Sequence, residues 1–154
     1  MRIYNAILGI FFLLGATLAQ AGVVIGGTRI IYPSDQAEVQ VTLKNKDDAK
    51  RYLVHSWVSN IDDSKAPFVI TPPIYKLDEN RQTLLHVVYT GDKTHLPQDR
   101  EFLFMANIKS VSSVPEELHD KNTLQFAIKT KIKLFYRPSA LSDAAAKTAW
   151  QSLQ

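Results

Sequence analysis

No cysteine occurs among the 154 residues, so neither a disulfide nor a thiolate metal site holds this chain together, and its stability rests on an ordinary hydrophobic core. An excess of one charge is missing as well: 18 Lys+Arg stand against 15 Asp+Glu, a formal +3. Nucleic-acid binding calls for a basic stripe with interleaved aromatics or a helix suited to a groove, and neither is present. There is no repeat and no low-complexity tract. Beyond Ala21 no hydrophobic run approaches the roughly 20 residues of a membrane-spanning helix, so the chain is not expected to be membrane-embedded. The four histidines, His55, His86, His95 and His119, show no ligand spacing, and no serine sits in a nucleophile-elbow context. Asp47-Asp48 and Asp62-Asp63 are loop charges without a calcium-loop pattern. These absences argue against an enzyme and against any cofactor or metal, and leave binding or structural roles.

What is present begins with residues 1–21, MRIYNAILGIFFLLGATLAQA: a positive charge at Arg2, an apolar run from Ala6 to Leu18, and the small-x-small ending Ala19-Gln20-Ala21. That is the layout of a secretory signal peptide cleaved after Ala21, with an uncleaved N-terminal anchor as the alternative. Taking 21 residues from 154 leaves 133, and losing Arg2 takes Lys+Arg from 18 to 17 against 15 acids, a net +2. One domain suits that length.

The mature chain reads as short strands separated by turns. Gly22 to Ile31 forms a first strand whose paired glycines permit a bulge or a close backbone approach. After the turn Tyr32-Pro33-Ser34-Asp35, Val39, Val41 and Leu43 alternate with polar residues in a half-buried second strand. Tyr52 to Val58 follows, with Trp57 suited to the middle of a sandwich. Phe68-Val69-Ile70 runs into Thr71-Pro72-Pro73, which predicts an edge strand or one crossing between sheets. Thr83 to Thr90 is a further strand, and Glu101 to Val111, apolar on both parities, predicts one buried on both faces. The spacing of turn signals, with no helical period, predicts an all-β fold: an immunoglobulin-like antiparallel β-sandwich of seven to eight strands.

The last strand, Thr123 to Pro138, stands apart. Leu124, Phe126, Ile128, Thr130, Ile132, Leu134 and Tyr136 share one face, while Gln125, Lys129, Lys131, Lys133 and Arg137 dominate the other. It exceeds the usual five or six residues, so part of it is expected to run past the body of its sheet. An apolar edge left unpaired is a liability or a docking site. Alternation alone leaves Leu124, Phe126 and Ile128 open between packing inward and meeting a partner, and spacing alone leaves Arg29 and Lys133 as solvated surface cations.

The run KIKLFYRP, with LPQDRE upstream and TPP between, resembles the N-terminal domain of the periplasmic pilus-assembly chaperones of the chaperone–usher pathway, from about Val24 to Trp150. The resemblance implies an immunoglobulin-like domain over residues 22–138, and over 139–154 a linker and the start of a missing second β-sandwich. It implies a periplasmic protein whose partners are pilus or fimbrial subunits and an outer-membrane usher. Arg29 and Lys133 match the positions that grip a subunit's C-terminal carboxylate. Leu124, Phe126 and Ile128 match the donor strand that fills an incomplete subunit sandwich, and Glu101 and Arg137 match an interdomain salt bridge. Phe102, Asn80-Arg81 and Val111-Ser112-Ser113 depart from the family pattern in turns rather than at these positions. Two other readings remain: a structural immunoglobulin-like surface subunit or adhesin, or a truncated chaperone remnant without function. Pilins of that pathway usually carry a disulfide and end in a C-terminal strand with a tyrosine, and this chain has neither.

Overall fold

The computed structural model describes residues 22–96, 98–114 and 121–141. The expected signal segment 1–21, residues 115–120 and nearly all of the 139–154 segment lie outside the described residues. Nine strands are described: β1 (Val23–Ile25), β2 (Arg29–Pro33), β3 (Val39–Asn45), β4 (Tyr52–Ser59), β5 (Phe68–Thr71), β6 (Ile74–Leu77), β7 (Gln82–Tyr89), β8 (Phe102–Ser112) and β9 (Ala127–Arg137), with one 3-10 turn at Lys93–His95. They form two sheets, ordered β1-β3-β7-β5 and β2-β9-β8-β4-β6. The all-β sandwich expected from the turn spacing is the fold found, with two more strands than the seven read individually from the sequence.

Both additions have local causes. The segment from Gly22 to Ile31 is two strands, not one: β1 pairs with β3 in the first sheet and β2 with β9 in the second. Gly27 makes the switch at φ +137, a conformation that disfavours any side chain, and its N–H donates to the Ile25 carbonyl. The second addition is β6, which pairs with Tyr52–His55 of β4. Its first three residues are exposed and it follows two prolines, so no alternation betrayed it. The neighbouring expectation holds: β5 is an edge, and the chain passes from it directly to an edge of the other sheet.

Alternation builds the core. Val41 and Leu43 of β3, Val54 and Val58 of β4, Leu85 and Val87 of β7, and Leu134 and Tyr136 of β9 are buried between the sheets. Tyr32, Phe68, Tyr89, Phe104 and Tyr136 pack ring to ring, with centroids 4.9 to 5.9 Å apart. Within this cluster the Tyr32 hydroxyl donates to the Ala37 carbonyl at 2.9 Å and accepts from the Tyr89 N–H at 3.3 Å.

Two expectations about side-chain placement are corrected. Trp57 is half-buried on the outer face, because Val54, Ser56 and Val58 hold the inward parity of β4; it lies beside His55, ring centroids 4.7 Å apart. The eighth strand is not buried on both faces either. Phe104, Ala106, Ile108 and Ser110 face the core, whereas on the outer face Leu103 and Met105 are half-covered, Asn107 is buried and Lys109 is exposed. One strand pair also departs from the antiparallel rule: β2 runs parallel to β9.

Candidate functional site: the last strand and its open edge

The ordered ladder of β9 starts at Ala127, four residues after the alternating pattern begins, and is paired with β8 from Ala127 to Tyr136. On its other side β2 covers only Lys133 to Arg137. From Ala127 to Ile132, therefore, one edge of β9 has no strand beside it among the described residues. This is the arrangement that leaves backbone N–H and C=O groups available to another chain.

The apolar row divides at the same place. Leu134 and Tyr136 are fully buried and Ile132 is half-buried, but Leu124 is 80% exposed, Phe126 69% and Ile128 62%. In the sequence all lie on the parity that faces the core farther along; Ile128 continues that face within β9, and Leu124 and Phe126 precede the strand. The Gln125 side-chain amide donates to the Ser112 carbonyl at 3.1 Å and ties this extension to the end of β8.

Arg29 and Lys133 are direct partners in the parallel β2–β9 register, so both project from the outer face at the point where β2 ends the open edge. Neither carries an ion pair among the described residues. With Thr28, Met105, Lys131, Ile132 and Phe135 they line a shallow depression. A guanidinium and an ammonium side by side suit a carboxylate, the first through two parallel hydrogen bonds and the second as a point charge.

Two other lysines on that face are engaged. Lys131 donates to Asp63 Oδ1 at 2.6 Å, and this bond holds the Asp63 carboxyl below its ordinary range. Lys129 Nζ sits 5.0 Å from the centre of the Trp57 ring. The Lys131–Asp63 contact was not legible in the sequence, where Asp63 reads as a loop charge; residues 68 positions apart share no local signal. Glu101 and Arg137 do meet: Arg137 Nε donates to Glu101 Oε1 at 2.6 Å, with both side chains partly covered.

The fold and site together define an immunoglobulin-like sandwich with a half-open last strand and a cation pair at the closed end of that edge. The profile of the family described as pili and flagellar-assembly chaperone, PapD N-terminal domain, matches residues 22–142, and the chain belongs to this family. It is 41% identical over 133 residues to the chaperone protein FimC of Escherichia coli O6:H1, covering 84% of this chain and 55% of that one. It is 38% identical over 148 residues to the probable fimbrial chaperone LpfB of Escherichia coli O157:H7, covering 96% and 62%. Among solved structures, that of the Salmonella enterica SafA pilin in complex with the SafB chaperone matches with a TM-score of 0.70 at 32% identity, covering 88% of this chain and 63% of that one. The periplasmic chaperone SfaE matches with a TM-score of 0.66 at 37% identity, covering 77% and 57%. The chain thus spans less than two thirds of the length of these relatives.

Proposed function

We propose that this chain is a non-enzymatic periplasmic chaperone for pilus subunits, which it stabilises by lending the open edge of β9 and then passes to an outer-membrane usher. The observation that carries the reading is the exposed triplet Leu124, Phe126 and Ile128, which shares the sequence parity of the core row and runs into the unpaired edge of β9, Ile128 within the strand and the other two just before it. A subunit sandwich that lacks one strand exposes a groove. Main-chain bonds to β9 supply affinity, and the three alternate side chains fill pockets of that groove and select the register.

The grip follows from the neighbouring strand. Because β2 already lies parallel to β9 and begins at Arg29, a subunit strand added to the free edge occupies the same lane and ends against Arg29 and Lys133. Its C-terminal carboxylate meets both cations, and the strand runs parallel to β9. In this reading the signal segment 1–21 directs export and is cleaved after Ala21, residues 139–154 lead into a second sandwich, and the Glu101–Arg137 pair sets the angle between the two. The relatives named fimbrial chaperones, and the pilin–chaperone complex among the structural neighbours, support it.

Co-expression with a cognate pilus subunit tests the proposal. Arg29→Ala with Lys133→Ala is expected to lower subunit affinity by about tenfold or more, the scale of losing charge-assisted bonds. Subunit recovery equal to that of the unsubstituted chain would refute the grip.

A further inference from the structure

Three lysines stand on the outer face of β9, at 129, 131 and 133, each two residues from the next and so about 6.7 Å apart along the strand. A partner's terminal carboxylate drawn to this row has more than one place to stop. A stop at Lys131 instead of Lys133 shifts the whole partner strand by two residues, which preserves the side-chain parity and is therefore not rejected by the pleat. Something other than alternation must forbid it.

Lys131 shares the depression with Arg29 and Lys133, but its ammonium group, like that of Lys129, is engaged away from the open edge. Lys131 is bound to Asp63, which belongs to the loop after β4, and Lys129 lies over Trp57 of β4 itself. Since β4 is on the far side of β8 from β9, both side chains lean across β8, away from the lane a partner occupies. Lys133 has no such tether among the described residues, and its direct neighbour on β2 is Arg29. The loop is built to hold Asp63 in place. Asp63 adopts φ +65 and its N–H donates to the Asn60 carbonyl, Asn60 N–H donates to the Ser64 carbonyl, and Asp62 Oδ1 accepts from the Ser64 N–H and hydroxyl.

We propose that Asp63 is a register-setting residue: by holding Lys131 off the free edge of β9, it leaves Arg29 and Lys133 as the place where a partner's chain end can stop. The inference rests on the chaperone reading above and deepens it, assigning the discrimination between two parity-equivalent registers to a side chain that touches no partner. Asp63 is thus a positioning residue acting through Lys131.

The absence of cysteine makes the test direct. With Thr130→Cys as the single thiol, the full chain is mixed with synthetic peptides of alternating apolar and polar residues that end in a free carboxylate. Each peptide carries one cysteine, placed opposite position 130 either when the carboxylate rests at Lys133 or when it has slipped to Lys131. The slipped peptide has its cysteine two residues nearer the carboxyl end. In the Asp63→Asn background, the disulfide yield of the slipped peptide relative to the other is expected to rise about two- to fivefold, the scale of a surface ion pair. Asn tolerates the left-handed backbone at 63, so the loop keeps its shape. Adding Lys131→Gln to Asp63→Asn is expected to restore the original ratio, which a merely structural role for Asp63 does not predict. A ratio unmoved by Asp63→Asn, with total cross-linking still dependent on Arg29 and Lys133, overturns this inference and leaves the chaperone reading standing. Cross-linking that survives Arg29→Ala with Lys133→Ala, or that is equal for carboxylate and amide peptides, overturns the carboxylate grip itself.

Discussion

Tyr32 shows how much a single side chain carries in a domain without covalent cross-links. Its ring is buried in the aromatic cluster, and its hydroxyl serves both the Ala37 carbonyl and the Tyr89 N–H. Tyr32→Phe keeps the ring and leaves those two backbone groups without that partner, so equilibrium urea unfolding is expected to show a loss of about 1–2 kcal/mol. Charged residues act through pH instead. The Ala49 N–H lowers the Asp47 carboxyl, the Lys131 bond lowers that of Asp63, and the Glu79 carboxyl is lowered by its own N–H and then by Arg51. Each binds its proton less tightly in the folded chain than in the unfolded one. The stability they add is therefore whole above the ordinary carboxylate pKa of about 4 and is lost as pH falls through the lowered folded values. Denaturation midpoints are expected to be level between about pH 6 and 7 and to drop below about pH 4; a midpoint that rises on acidification would contradict this.

At the scale of one element, β9 and the residues just before it combine two kinds of residue that the sequence presents as a single row. Leu134 is fully buried, so Leu134→Ala is expected to cost about 2–5 kcal/mol in unfolding experiments. Phe126 lies on the same parity but is largely exposed, so Phe126→Asp is expected to change stability by less than about 0.5 kcal/mol while abolishing subunit co-purification. A Phe126→Asp chain that unfolds as readily as Leu134→Ala would show that the extension packs on its own sandwich. The strand itself and its basic face were legible from the alternation of KTKIKLFYR, because a period of two is a property of neighbours in the chain. Where the row stops being core was not legible, since that depends on how far the opposite sheet reaches. The same limit explains Trp57: its size favours burial, but its parity, set by Val54, Ser56 and Val58, puts it outside. It also explains β6, whose exposed residues carry no alternating signature.

For the whole molecule, stability rests on the packed interior between the two sheets. With no cysteine in the sequence, thermal unfolding of the chain is expected to have the same midpoint with and without dithiothreitol, a contrast with exported domains stapled by disulfides. A shift on reduction would point to a covalent partner. The fold class follows from composition and turn spacing, and the family follows from three motifs spread along the chain, so both were within reach of the sequence. By itself the sequence determined most of the strand segments, the alternation along them and the kinds of side chain offered to a partner, because those depend on residues one or two positions apart. Only the tertiary structure decided that β2 leaves the edge of β9 open before Lys133, that Arg29 comes to rest opposite that lysine, and that Asp63 crosses the sheet to Lys131. Those outcomes depend on register between segments far apart in the chain, and register is set by the closing of the whole sandwich around its core.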